Sequence, residues 1–479
     1  MINTTFLRLL VIVCFSIVCG CFFNRTTLRS HSDASSGVTD SLNVKDSCTD
    51  TIKITDSVDF SSALDSIAVP VALSNTASKV DVPDSGNVKQ FSLRYPPFRV
   101  YRSDVRVLLK QKLTQYSFYS IGNVEIHQSK GQTMVFRGRL NVLMQQNAAA
   151  LMEAAWGKIT VHLPCTLVSR NEYNVIDLNT DSYRGRMMLY NDSKTTFAVV
   201  NELPVEEYLR GVVPLELGTV DKTCIEALKA QAIAARTYTY QKISDRITAP
   251  FDLYATVADQ VYGGFKPEYH DADIAIRLTK GLILVYNDSI ARAYYHSTCG
   301  GFTANIEDVW KNKGALEYLR SEIDKDSTGR AWCTDSKSFR WEERWSKDAF
   351  NKIVIASLNT IDGKKQYKLP ISRFDITGNY SCGRIRELVI SGSNWKYAAI
   401  GDQVRFILRR SQNGNPILKS ANFVITSNTV KEVKVSGVGY GHGVGMCQTG
   451  AIARAKAGQT FEQILRAYYR GIVICTARE

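Results

Sequence analysis

Thr223-Cys224-Ile225-Glu226, followed by Ala227-Leu228-Lys229-Ala230-Gln231-Ala232-Ile233-Ala234-Ala235-Arg236-Thr237-Tyr238-Thr239-Tyr240, is the stretch on which the fold turns. A threonine followed three residues later by glutamate is a capping box, and the run behind it consists almost wholly of helix formers and small side chains. Its alanines share faces, Ala227, Ala230 and Ala234 on one and Ala232 and Ala235 on another, so other backbone can pack closely against the helix. Upstream, Pro204 stands where a first helical turn would start, Glu206 and Glu207 suit its positive end, and Gly211 can stop it. A short helix is therefore expected to feed Val212-Val213-Pro214-Leu215-Glu216.

Outward from this centre the pattern changes. Residues 97–200 carry short β-rich runs, Val105 to Leu109, Thr133 to Phe136 and Lys158 to Leu163, separated by polar or glycine breaks. Gln146 to Trp156 reads as a helix interrupting this β-rich part. Downstream, residues 281–286, Ala291 to His296 and Arg384 to Ile390 read as strands, and Trp341 to Ser357 as an amphipathic helix. A glycine-rich loop and two helices close the chain. No repeat of fixed period is present, and the expected class is α+β, with a β-rich part at 97–200 and a core at 201–479.

The first residues predict export. Arg8 precedes a short apolar run, Leu9 to Val18, too brief to span a bilayer. Val18-Cys19-Gly20-Cys21 then looks like a bacterial lipobox whose Cys21 would be cleaved and lipidated, against the alternative of an ordinary cleaved signal within residues 1–21. Residues 22–96 read as a solvated tether rich in Ser, Thr and Asp, without an apolar period. Between Thr27 and Pro96 lie nine Asp against six Lys plus Arg, so the positive charge belongs to residues 97–479, which hold +14 against +13 for the whole chain. A basic exported domain points to wall polymers or membrane headgroups and away from nucleic acid, although generic solubility gives the same charge. Of eleven cysteines, Cys14, Cys19 and Cys21 fall in the leader, and the other eight show no disulfide-framework spacing.

Glu216 is a single carboxylate enclosed by Val212, Val213, Leu215 and Leu217. Desolvated there, it would hold its proton more tightly, as a general acid at neutral pH requires, while a plain ion pair with a cation such as Arg236 would make it structural. Arg236 itself is open to two readings, orienting Glu216 or a sugar, or serving a buried ion pair. Glycine alternates at Gly437, Gly439, Gly441, Gly443 and Gly445, so an extended chain would present one face without side chains. A sugar strand or the Glu216 segment would approach that face, with His442 and Gln448 supplying hydrogen bonds; the alternative is tight packing on the Ala-rich helix. Tyr183, Tyr238, Tyr262 and Tyr440 are candidates for stacking on sugars, Tyr440 foremost because of its loop. A phosphate loop is disfavoured, since Gly-Lys-Ser/Thr is absent.

Asn201 to Glu216, followed by Glu226 to Tyr238, closely resembles the core of the SpoIID/LytB family. The resemblance continues through Tyr183-Arg184-Gly185, Gln260-Val261-Tyr262, Tyr295-His296-Ser297-Thr298-Cys299-Gly300-Gly301, Ser381-Cys382-Gly383-Arg384 and Gly439 to Gln448, in the family's order across residues 97–479. It implies an exported protein that works on peptidoglycan glycan strands in one cleft, either as a lytic transglycosylase of peptide-free strands or as a non-catalytic amidase enhancer. It places the catalytic glutamate of the Val-Val-Pro-x-Glu motif at Glu216. One carboxyl group would then protonate the glycosidic oxygen and afterwards take the muramic C6 hydroxyl proton, closing a 1,6-anhydro ring with no second carboxylate and no required cofactor.

Some relatives hold zinc through His and Cys at this motif, which implies His296, Cys299 and Cys333 here, with His270, Cys447 or His442 as a fourth ligand. Such zinc would be structural. A Cys299–Cys333 disulfide, or unpaired thiols, are the alternatives. The chain departs from the pattern at Leu217-Gly218, where active relatives commonly have Met-Pro, and at Met446-Cys447-Gln448-Thr449-Gly450, where relatives commonly have Ser and Trp.

Overall fold

The computed structural model describes residues 95–479 apart from 130, 132, 146–148, 171–174, 179, 180, 364, 413 and 415. The leader, Cys21 and the tether up to Arg94 lie outside the described residues. The fold is α+β, with more strand than helix.

Residues 104–204 build one large sheet. Asp104–Leu113 pairs with Phe197–Pro204, and the order runs on through Arg186–Asn191, Cys165–Ser169, Gln115–Gln128, Met134–Met144, Ala149–Ala154 and Gly157–His162. Neighbours along this path are antiparallel, and Leu253–Tyr254 adds to the other side of Asp104–Leu113 in parallel. Alternate side chains such as Val105, Val107, Phe118, Ile126, Leu140 and Met187 enter the core. The helix expected over Gln146 to Trp156 is not formed over its described residues, 149–156. Ala149–Ala154 is a strand in a hairpin with Gly157–His162, because burying Ala150 and Met152 on one sheet face overrides the local preference for helix.

Beyond the sheet come α1 (Val205–Arg210), α2 (Val213–Leu217) and α3 (Ile225–Asp245). α3 is enclosed on nearly every side: Ala227, Ala230, Ala232, Ala234 and Ala235 are fully buried. It packs against α4 (His270–Leu278), α6 (Gln448–Lys456), α7 (Phe461–Tyr468) and the strand Leu282–Tyr286. The capping box expected at Thr223 and Glu226 is replaced by another arrangement. Asp221 accepts from the Thr223 amide at 2.9 Å and caps a 3-10 turn, while Glu226 accepts from Lys229 and from the Phe461 amide.

Leu282–Tyr286 pairs with Val473–Arg478, which takes Pro97–Arg99 in parallel, so the two ends of residues 97–479 meet in one small sheet. The strand expected over Ala291 to His296 shrinks to Tyr295–His296, which runs parallel to Met446–Cys447.

Residues 340–438 form a second apolar core around Trp341, Trp345, Phe350, Leu388 and Val435. Arg340–Ser346, Glu432–Val438 and Phe423–Asn428 make one three-stranded sheet, and Ile371–Asn379, Ile385–Gly392 and Lys396–Ile400 another. The helix expected over Trp341 to Ser357 is a strand followed by α5 (Lys347–Asp362). Trp341, Glu343 and Trp345 point inward with period two, and Ser346 then caps α5 by accepting from the Ala349 amide at 3.2 Å.

Candidate active site

Glu216 sits on α2, five residues long, with Pro214 near its start and Gly218, at φ +82°, ending it. Its side chain is half-buried, and Oε1 accepts from the Val261 amide at 2.8 Å. Burial pushes its carboxyl up to about 7, against the opposing pull of the Val261 amide and Gln448. At neutral pH this group is divided between acid and carboxylate, the condition for giving and then taking a proton.

Val261 is itself held by a buried polar hub at its neighbour Gln260. Gln260 Oε1 accepts from Tyr208 at 3.2 Å and Thr239 at 3.0 Å, while Nε2 donates to the Ala235 carbonyl at 3.3 Å and to the Tyr295 hydroxyl at 2.9 Å. With both amide atoms occupied, the chain direction at Val261 is fixed. Tyr262 Oη donates to Asn201 at 2.8 Å, and its ring leans on Tyr208 at 4.9 Å and Tyr183 at 5.8 Å. Tyr183 and Tyr262 are thus core residues, and Tyr238 is also buried.

The parallel pairing of Tyr295–His296 with Met446–Cys447 brings the two motif segments together, and α6 starts at once with Gln448. Gln448 Nε2 donates to the Glu216 carbonyl at 2.9 Å and lies 3.4 Å from Gln231 Oε1. Gln448 therefore meets Glu216 as expected, through the protein and not through a sugar.

The glycine loop is approached closely by protein, though not by the Glu216 segment or the Ala-rich helix. A Cβ at Gly437 would lie 2.2 Å from the Trp341 ring, at Gly439 2.7 Å from the Thr298 carbonyl, at Gly441 2.9 Å from His296 Cβ, at Gly443 2.4 Å from Arg384 and at Gly445 2.0 Å from the Tyr294 carbonyl. From Gly439 on, the four glycines have φ between +69° and +106°, so the loop coils in the left-handed region and is not an extended bare face. Arg384, of the Ser381-to-Arg384 motif, clamps it by donating to the Gly441 carbonyl at 3.2 Å. Tyr440 is 9% exposed, its backbone paired with Thr298, which places its ring in the core and not on a sugar-stacking surface. His442 is half-buried, its Nδ1 accepting from the Val444 amide at 3.1 Å. Burial, with Arg405 and Arg384 nearby, pushes it down to about 3, so it is neutral at physiological pH.

Arg236 is wholly buried. It donates to both Glu206 oxygens at 2.8 Å and to the carbonyls of Leu282 and Ile276, tying α3 to α1, α4 and the following strand. The structural ion pair is the reading that holds, and Arg236 is not a sugar ligand, because its guanidinium is spent and enclosed.

Three of the expected thiols converge elsewhere. Cys299, Cys333, Cys447 and Asp324 are all buried, with their ligand atoms within 4.8 Å of one another. Cys299 and Cys333 stand 3.4 Å apart as free thiols. Backbone amides point at the sulfurs: Gly301 at Cys299 and Cys299 at Cys447, both at 3.2 Å, and Gly450 at Cys447 at 3.3 Å. Hydrogen bonds from Cys299 and Cys447 push the Cys333 thiol down, while burial pushes those two up. The set corrects the expected ligands. His296 is not among these clustered atoms: its Nδ1 faces the Val444 carbonyl at 3.2 Å, its buried Nε2 has no hydrogen-bond partner, and His270 is an exposed first residue of α4. Asp324, bonded to Arg454 at 3.0 Å and Tyr468 at 3.0 Å, takes that place. Three sulfurs and one carboxylate oxygen at this spacing fit a closed, tetrahedral structural zinc site. No sequence pattern marks Asp324, whereas Gln260 and Tyr295 lie in segments legible only through the family resemblance.

The chain belongs to the SpoIID family. Residues 193–286, spanning Glu216, α3 and the Gln260 hub, match the family described as stage II sporulation protein, and residues 329–445, spanning the second core, match a domain of unknown function. An uncharacterized protein of Brachyspira hyodysenteriae is 30% identical over 306 residues, 62% of this chain and 73% of that protein. The stage II sporulation protein D of Bacillus subtilis is 29% identical over 59% of this chain and 78% of its own length. The Bacillus subtilis amidase enhancer is 29% identical over 56% of this chain, which spans only 40% of that relative.

Proposed function

We propose that this protein is a cell-envelope lytic transglycosylase that cleaves peptide-free glycan strands of peptidoglycan. The observation that carries the reading is Glu216, a half-buried carboxyl held near neutrality at about 7. In the proposed reaction protonated Glu216 gives its proton to the glycosidic oxygen as the C1–O bond breaks. The resulting carboxylate takes the proton of the muramic C6 hydroxyl, whose oxygen closes on C1 to give the 1,6-anhydro sugar. The groups that shift Glu216 are its own burial, the Val261 amide and Gln448; no second carboxylate is among them, in keeping with one group used twice. Incubating the full chain and its Glu216→Gln variant with peptide-free glycan strands tests this. Anhydro-muramyl products made by the parent alone support it, and none from a folded parent overturns it.

The relative named amidase enhancer favours a second reading, a glycan-binding protein that stimulates a wall amidase without cleaving. A Glu216→Gln protein that still enhances an amidase would support that reading. In either case Cys21 is proposed to anchor the chain at the envelope through lipid; among the described residues no helix is long and apolar enough to cross a membrane. Cys299, Cys333, Cys447 and Asp324 are proposed to hold zinc, which would supply a cross-link between the segments on either side of the second core. Metal analysis of purified protein should find about one zinc per chain. Cys447→Ser should lose it together with thermal stability, and a metal-free parent of unchanged melting temperature would overturn the assignment.

A further inference from the structure

Three ring systems stand in contact with one another. Tyr294 packs on Trp310 at 4.9 Å between centroids, and Trp310 on His442 at 4.9 Å, and all three residues are half-buried. Tyr238 meets Tyr294 edge-on at 6.0 Å and donates to Asp259 at 2.9 Å, two residues before the amide that holds Glu216. Rings that are neither sunk in the core nor isolated suit the apolar faces of a sugar.

Three cations flank this wall, and only two are neutralised. Lys242 pairs with Asp259 at 2.5 Å and Arg292 with Asp245 at 3.4 Å. Lys313, whose amide bonds the Trp310 carbonyl at 2.8 Å and so lies in the turn just after that ring, has no carboxylate within ion-pair distance among the described residues. Partial burial, then Arg292 and Lys242, push its ammonium down, against a smaller opposing pull from Asp245. A partly desolvated ammonium with no ion pair at contact distance, in a field where two cations outweigh Asp245, gains from an anion to face.

We propose that Tyr294, Trp310, His442 and Lys313 form a subsite for a sugar bearing a free carboxylate, the rings carrying the sugar face and Lys313 the anion. The inference rests on the reading of Glu216 as a glycan-cleaving group: muramic acid freed of its peptide exposes such a carboxylate, and muramic acid still joined to peptide does not.

The test measures the binding of two ligands to the full-length Glu216→Gln protein, which leaves strands intact. One is the peptide-free glycan strand, the other the same strand with its carboxylates coupled to methylamine. The free-acid strand should bind about tenfold tighter, the scale of one charged hydrogen bond. Adding Lys313→Gln should bring the two within about twofold while leaving the melting temperature unchanged, and Lys313→Arg should keep most of the preference. Equal binding of the two strands before Lys313 is changed, or a preference that survives Lys313→Gln, overturns the subsite alone. No binding of either strand overturns the glycan reading with it.

Discussion

Val261 and Glu216 lie 45 residues apart in sequence, and the Val261 amide donates to Glu216 Oε1 at 2.8 Å. That bond favours the carboxylate, yet burial outweighs it and the carboxyl titrates at about 7. A group whose pKa is raised on folding contributes stability at low pH and loses it as pH rises from the ordinary 4.5 through about 7. Two consequences follow. Glycan cleavage should fall about tenfold per pH unit above 7, where the acid form is lost. Glu216→Gln should stabilise the fold at pH 8 by about 1 kcal/mol once the open face is discounted, seen as a higher melting temperature, and leave it unchanged at pH 4. A rate that keeps rising to pH 9 would contradict the acid role.

Gln448 binds the Glu216 backbone, so its loss should disturb placement more than folding. Gln448→Ala leaves the Glu216 carbonyl without its 2.9 Å donor and should lower kcat about tenfold with little change in KM. Steady-state kinetics on defined glycan strands separate the two constants, and an equal rise in KM would reassign Gln448 to substrate binding.

Gly445 and Gly458 give a controlled comparison of crowding with strain. Both have positive φ, +69° and +84°, but an added Cβ meets the Tyr294 carbonyl at 2.0 Å in the first and nothing within 4 Å in the second. Gly458→Ala should cost about 1 kcal/mol and Gly445→Ala about 3 kcal/mol or more, read from urea unfolding.

Arg236→Met should be a stability variant. It removes the buried partner of Glu206 and empties a site that joins α3 to α1 and α4, for a loss of about 3 kcal/mol. Wherever the variant remains folded, its activity per folded molecule should match the parent. A selective loss of kcat at full stability would return Arg236 to the reaction.

The sequence made α3, the short helix before Glu216 and most strands of the large sheet legible, because each writes its own period or its own stop signals. It misjudged segments whose local preference conflicts with their neighbours. Ala149–Ala154 has helix-forming side chains, yet it pairs between two strands. Trp341 to Ser346 alternates with period two, but the helical run behind it masked the change. The burial of Glu216 and the approach of Gln448 to its segment were legible. Asp324 was not, because a metal-facing carboxylate carries no pattern until Cys299, Cys333 and Cys447 are brought around it by contacts between distant segments. The glycine loop was seen to need close neighbours, but spacing alone could not name Arg384, His296 and Tyr294 as those neighbours.

The central claim is that Glu216 holds its proton near neutrality. The most direct measurement is a carbon-13 NMR titration of side-chain carboxyls in glutamate-labelled protein, parent beside Glu216→Gln. One resonance with a midpoint near 7, absent from the variant, is the predicted result. Titration of every glutamate resonance below about 5, with the two spectra otherwise the same, would contradict it.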